Sequence, residues 1–393
     1  MKVLHLYDKY LNTTMNWAYE LMLHTPETDV YVGAAEFVEN RFKVTDFQYV
    51  TPNMNVFFGI KNLKNEWSQT TLQRLFFYAN KYFFYKNDLI KTIKKHDIQL
   101  IHAHFANVGC HYMHLARAVN LPLVVSFYGY DYEQLSYLQP KYKLLFPKLF
   151  EVASAIICEG EHGAKILTEL DCPPHKINVV CLGLDFDKVL TVNAKDKKKA
   201  SLKLVQAASF TTKKGQLETI KAFANALKNC PNMHLTFVGE KADNAYYESV
   251  LKVLENEKMS DKVSILDFVE NDFYTFLQTF DVFIHPSQYS DNRDCEGGAP
   301  IVLLNAQAVG LPVISTMHCD IPMEVVHGET GLLSPEKDTA ALQQNIEQFY
   351  DMSSDEYTKF STNAMRHVKS NFDIKKNSIK LNTIYKNLIE NKL

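Results

Sequence analysis

The 393-residue sequence contains no Cys-x-x-Cys pair, and its seven cysteines are odd in number and scattered. That usage argues against a zinc ribbon or a disulfide framework and for thiols packed as small apolar side chains in a reducing compartment. No run of about 18 apolar residues occurs, so no stretch reads as a bilayer-crossing helix. There is no basic surplus either: 42 Lys and Arg face 45 Asp and Glu, a formal charge of −3, which argues against a dedicated nucleic-acid binder. The opening MKVLHLYDKY lacks the apolar core of a signal peptide and reads as a β-strand, the pattern of a cytoplasmic protein. Gly-x-Gly-x-x-Gly after the first strand and the P-loop signature are both missing, which disfavours nicotinamide cofactors and P-loop chemistry. So are the Gly-x-Ser-x-Gly elbow and His-Glu-x-x-His.

What is present is alternation. Short apolar runs at Lys2–Leu6, Asp29–Val32, Leu100–Ala103, Leu121–Phe127, Ala155–Cys158 and Val179–Leu182 read as strands. A second series covers Lys203–Ala207, His234–Val238, Val263–Leu266, Val282–His285 and Leu311–Ser315. Amphipathic stretches such as Cys110–Asn120, Gly215–Asn229, Glu248–Glu257 and Ile301–Val309 separate them. Strands alternating with helices predict parallel sheets built from βαβ units. The polar segment Asn193–Ser201 (NAKDKKKAS) reads as a solvated linker between two doubly wound, Rossmann-like α/β domains, residues 1–192 and 200–373. After Ser315 helical patterns take over, ending in a long one from Ile374.

In paired open sheets the ligand belongs in the cleft at the carboxyl ends of the strands. Three loops there carry chemistry. In Cys295–Gly331, Glu296 and the pair Gly297–Gly298 lead through Ala299 and Pro300 into a helix. Glycines allow close approach, a helix N-terminus binds an anion, and a carboxylate beside it suits sugar hydroxyls. The combination predicts a sugar phosphate. Ser209–Gly215 (SFTTKKG) places Lys213 and Lys214 at a second helix start on the same sheet edge. His102 and His104 end a strand of the first domain with the same orientation, and SFYGYD (Ser126–Asp131) adds a polar loop facing the cleft. The triplet Asp185–Phe186–Asp187 is a weak match to a metal–diphosphate motif and gives no metal expectation.

These blocks, taken in order with INVVCLGLD, HLTFVGE, DVFIHPS, EGGAPIVLLNAQAVGLPVIST and HGETGLL, resemble the retaining GT-B glycosyltransferases of family 4. The capsule, exopolysaccharide and lipopolysaccharide members are the nearest in pattern. The resemblance implies two domains facing across a cleft and a final helix, 374–393, crossing back to the first. It implies that Lys214 neutralises the donor diphosphate, aided by Lys213 or Arg293 and by the amides after Gly298. Glu296 would hold the donor sugar, the backbone at Phe268–Val269 would flank the nucleotide base, and Asn305 would meet the ribose. His104 would orient the acceptor hydroxyl, with Tyr128 and Asp131 nearby. Four positions depart from the family pattern. Asn305 replaces a carboxylate, Ser209 stands for a phosphate-binding Arg, Tyr128 stands for a histidine, and the first loop, KYLNTTMNW, lacks glycines. Glu296 also lies one residue farther from Asn305 than is usual.

The resemblance implies an enzyme with no cofactor or metal that takes a UDP- or GDP-linked sugar as co-substrate and a glycan or lipid-linked glycan as acceptor. A non-catalytic nucleotide-sugar-binding subunit and a nucleotide-sugar epimerase are the competing readings. Segment Lys61–Lys95 mixes lysines with FFYANKYFFYK. It reads either as a basic aromatic helix on the inner face of an anionic membrane or as a helix whose phenylalanines fill the core.

Overall fold

The structure, a computed structural model, describes residues 1–10, 15–37, 47–50, 85–267, 269, 273–298 and 300–391. Phe268, Ala299 and residues 61–84 of the basic aromatic stretch lie outside them.

Two parallel sheets organise these residues. The first contains β1 (Lys2–Tyr10), β2 (Asp29–Phe37), β3 (Gln48–Val50), β4 (Leu100–His104), β5 (Leu123–Ser126), β6 (Ala155–Cys158) and β7 (Ile177–Val179). Their order is β3-β2-β1-β4-β5-β6-β7. The second contains β8 (Leu202–Ala207), β9 (Met233–Val238), β10 (Val263–Leu266), β11 (Val282–His285), β12 (Val313–Thr316) and β13 (Gly331–Ser334), in the order β10-β9-β8-β11-β12-β13. Each order reverses once, between β1 and β4 and between β8 and β11. Such reversal points open a crevice at the carboxyl ends of the strands. Both sheets are of the doubly wound type expected from the sequence.

Period-two alternation splits the first sheet into two faces. Leu4, Leu6, Ile101 and Val125 pack with the helices Ala106–Val119 and Tyr142–Val152. Val3, Leu100, Val124 and Ala155 point the other way and are covered by Ile374, Leu381 and Tyr385 of the last helix, Ile374–Glu390. That helix therefore completes the core of the first sheet, although it follows the whole second sheet in the chain.

Several local readings are corrected. The apolar run at residues 179–182 is not a strand throughout. β7 ends at Val179, and Val180 and Leu182 are buried against the last helix. Strands β3 and β13 are additions: β3 has only three residues, and β13 sits where helical signals dominate. The segment 193–201 is not a freely solvated linker. Lys195 donates to the carbonyls of Gln278 and Phe280, and buried Lys197 donates to that of Tyr350. Burial lowers the Lys195 amine to about 8. Asp185 and Asp187 are already engaged: Lys188 and the His24 ring lie against Asp185, and Lys375 bridges both carboxylates.

If the last helix closes the first core, Leu381→Ala removes a fully buried side chain beneath the sheet. Chemical denaturation should then show a loss of about 2–5 kcal/mol.

Candidate active site

The loop after β8 is shaped by Gly215, which adopts φ +68° and lies so close to the Pro286 carbonyl that a Cβ would stand 2.2 Å from its oxygen. Gln206 donates to the Lys214 carbonyl and accepts from Thr219, tying this loop to its helix. The loop after β11 comes back across it. Lys214 Nζ lies 2.7 Å from Glu296 Oε2 and Lys213 Nζ lies 3.0 Å from Asp294 Oδ1. Two elements separated by 82 residues thus meet at one charge pair, at the β8/β11 reversal.

Glu296 is the centre of this group. Ser287 Oγ donates to Oε1 at 3.1 Å, and the His285 ring stands 3.6 Å from the same oxygen. Its backbone N–H donates to His318 Nε2 at 3.1 Å, and His318 Nδ1 pairs with Glu336 at 2.8 Å. Those two bonds fix the His318 tautomer with its proton on Nδ1. Burial pushes the Glu296 carboxyl upward, but Lys214, His285 and Lys213 outweigh it and hold the group well below its ordinary value. Burial lowers the Lys214 amine, with Glu296 opposing. For Lys213, burial is outweighed by Glu296 and Asp294, and its amine is raised. The site is two adjoining ion pairs, Lys214–Glu296 and Lys213–Asp294, largely withdrawn from water.

Gly297 and Gly298 behave differently from the expectation that they simply leave room for a phosphate. Gly297 has φ +74°, and a Cβ there would stand 1.8 Å from Gly129 Cα of the first domain. A Cβ on Gly298 would meet the Glu159 carboxylate, which accepts the Gly298 N–H. In the opposite direction, Asp320 accepts from His162 N at the start of the helix Glu161–Glu169. Each domain thus places a carboxylate on backbone amides of the other. Burial, then Asp320, raises the Glu159 carboxyl to about 8. Burial also raises Asp320 and Glu324 at the same seam.

Of the remaining donor-side residues, Asn305, on the helix Ile301–Ala308 that follows Pro300, accepts from the hydroxyl of Tyr274 on the helix Phe273–Gln278. The Ser209 carbonyl accepts from Gln216, and Val269 packs against the second core. Arg293 is corrected: it is exposed, and its guanidinium lies over the Tyr137 ring at 5.1 Å instead of joining the Lys214 group.

The acceptor-side expectations change most. His104 is fully buried, with Nε2 2.9 Å from His5 Nδ1 and Nδ1 2.8 Å from the Tyr128 hydroxyl. With both nitrogens engaged it reaches no solvent and offers no atom to a hydroxyl in this arrangement. Asp131 uses both carboxylate oxygens on the amides of Ala106 and Tyr128, and burial raises it to about 7. It is a helix cap. His5, His102 and His104 bring ligand atoms within 4.8 Å of one another, a spacing that could hold a metal ion. His102 is engaged by Ser126 and Tyr385, however, and burial lowers all three rings, His5 to about 3. The cluster is a neutral hydrogen-bonded stack. Sequence reasoning missed His285, His318, Glu336 and Glu159. The first ends an apolar strand, and the others come from distant segments with no local signal.

With this geometry in view, the comparisons are specific. Residues 190–367 match the model for glycosyl transferases group 1 and residues 62–188 match that for Glycosyltransferase Family 4. The amylovoran biosynthesis glycosyltransferase of Erwinia amylovora is 27% identical over 63% of this chain. That match spans 59% of the relative's own length, less than two thirds. The Escherichia coli UDP-Gal:alpha-D-GlcNAc-diphosphoundecaprenol alpha-1,3-galactosyltransferase is 26% identical over 77% of this chain and 79% of its own. Among solved structures, the Anabaena protein HepE in complex with UDP-glucose superposes with a TM-score of 0.70 at 16% identity, covering 100% of this chain and 99% of that one. The fold is GT-B, and the chain carries the two glycosyltransferase domains that these models describe.

Two outcomes follow at the seam. Gly297→Ala forces a side chain onto Gly129 and a residue other than glycine into φ +74°. The dihedral alone costs about 1–3 kcal/mol, and small-angle scattering should report separated domains. For Glu159 the proton is held to about 8 in the closed seam but leaves near 4.5 when exposed. Its contribution is thus retained at low pH and lost as pH rises from 4.5 to about 8. Neighbouring Asp320 and Glu324 act with the same sign. The melting temperature should fall across that window, with a shallower slope in Glu159→Gln.

Proposed function

We propose that this protein transfers a sugar from a nucleoside diphosphate sugar to a hydroxyl of a glycan or lipid-linked glycan during cell-surface polysaccharide synthesis. The observation that carries the reading is the Lys214–Glu296 pair at the strand-order reversal, flanked by Lys213 and the glycine loop. The donor is UDP- or GDP-linked; the name of one relative, a UDP-Gal transferase, makes a uridine nucleotide the first to test.

The pair itself suggests how donor binding proceeds. A diphosphate brings negative charge to Lys214 and Lys213 and to the amides following Gly298. Lys214 then exchanges Glu296 for phosphate oxygen, and the carboxylate released accepts hydrogen bonds from sugar hydroxyls. Preorganised cations and amides stabilise charge on the leaving diphosphate as the bond from the anomeric carbon to its oxygen breaks. The electron pair leaves with the diphosphate. The acceptor oxygen bonds to the anomeric carbon from the same face, and its proton passes to the departing phosphate oxygen. That course retains configuration with no covalent enzyme intermediate. Two lysines and the helix start supply the positive charge that a divalent ion would otherwise provide. His104 acts here as a positioning residue, orienting the buried Tyr128 ring through its hydroxyl.

The test separates binding from turnover. UDP at about 100 times its Kd should stabilise the wild type by about 2.7 kcal/mol, read as a rise in melting temperature, with GDP and ADP as comparisons. Lys214→Ala should lose both that rise and nucleotide release from the donor in the presence of acceptor; Lys213→Ala should retain part of each. Unchanged turnover in Lys214→Ala would refute the assignment. Nucleotide binding without product from any donor would instead identify a non-catalytic subunit.

A further inference from the structure

The helices Gln134–Leu138 and Tyr142–Val152 meet in a tight elbow closed by hydrogen bonds from Tyr142 N to the Gln139 carbonyl and from Lys143 N to that of Pro140. Its inward residues, Leu135, Phe146, Leu149 and Phe150, are fully buried in the first core. Its outward residues break the usual rule for a soluble surface. Leu144 is 74% exposed, and Tyr137 and Leu138 are each 51% exposed. Among the described residues, few other large apolar side chains are comparably open, and those lie apart from one another in the chain.

The charged residues within the elbow itself are all basic. Lys141, Lys143 and Lys148 are exposed on the elbow, and Arg293 lies over Tyr137 from the second domain. No Asp or Glu occurs between Gln134 and Phe150, in a chain whose overall charge is negative. An apolar point ringed by lysines fits a surface that is itself apolar inside and anionic at its rim. The same elbow adds a second observation. Lys141, Tyr142 and Leu145 line a cavity of about 290 Å³, shared with Tyr7, Asp8 and His111 at the carboxyl end of the first sheet. A body held by Leu144 would present this polar, aromatic-walled cavity next to the surface that holds it.

We infer that the elbow at residues 137–148 docks the protein on an anionic lipid bilayer, with Tyr137, Leu138 and Leu144 entering the interface and Lys141, Lys143 and Lys148 contacting headgroups. The inference goes beyond the proposed activity and stands on different residues. It assigns the contact to a segment other than the basic aromatic stretch at 61–95. Docking by this face holds the first domain against the membrane, with Arg293 of the second domain beside the contact at Tyr137.

Sedimentation of the full chain with vesicles tests it without any substrate. The wild type should bind phosphatidylglycerol-containing vesicles and bind pure phosphatidylcholine weakly, with the difference shrinking as salt rises. Leu144→Glu and Leu138→Glu should each reduce partitioning by about tenfold. Each lysine replaced by Gln among positions 141, 143 and 148 should reduce it by about fivefold. Unchanged melting temperatures and unchanged UDP binding in these variants would show that the fold and the donor site persist. Equal binding by the wild type and the elbow variants would overturn the inference and place the contact elsewhere on the chain. Absence of vesicle binding by the wild type would overturn it too. So would a wild-type dimer that Leu144→Glu converts to monomer, since the face would then cover a second copy of the chain.

Discussion

The meeting of Gly129 and Gly297 sets the geometry of this molecule. Two peptide backbones from different domains approach until a methyl group on either would collide. Everything on the donor side is measured from that contact. The glycine loop is pinned between the first domain and its own sheet, so Glu296, the next residue back, has one available position. Ser287, His285 and the His318–Glu336 couple then hold its two ends, and Lys214 reaches it across 82 residues of chain.

Electrostatics divides the cleft into two regimes. On the donor side, opposite charges are paired, and Glu296 stays ionised despite burial because Lys214 and its neighbours outweigh the desolvation. At the seam, Glu159, Asp320 and Glu324 share no cation, and burial raises all three. Their oxygens rest on amides of the opposite domain or, at Asp320 Oδ2 and Glu324 Oε2, on no hydrogen-bond donor within reach. A phosphate-bearing ligand meets lysines in the first regime and acids that burial keeps protonated in the second. That contrast aligns the diphosphate toward the lysines before any specific contact forms.

What the sequence revealed, and what it concealed, follows from how local each signal is. Lys214 and Glu296 were legible because each sits in a strand-to-helix loop whose glycines are visible beside it. The sheets were legible because short runs rich in apolar residues, such as β6 and β11, recur between helical patterns. The histidine pair 102 and 104 was legible as a pair but not as an interior one. Its burial depends on His5, Tyr128 and Tyr385, which arrive from three other segments. Glu159 and Asp320 were invisible for the same reason, since a carboxylate on a distant helix start has no sequence neighbour to announce it. Asp131 misled because a polar residue in a loop facing the cleft looks the same whether it awaits a ligand or caps a helix.

The last helix gives the two domains a second covalent connection. The chain passes from the first sheet to the second through residues 180–201 and returns at residues 372–374. The two crossings lie side by side. Leu184 N donates to the Phe372 carbonyl, Ile374 N donates to the Leu184 carbonyl, and Gly183 is bare enough for the backbones to touch. A single tether would permit swivelling in any direction. Paired straps laced by peptide hydrogen bonds permit rotation about one line, as a clamshell does, so the lips of the cleft return to the same registry each time they shut.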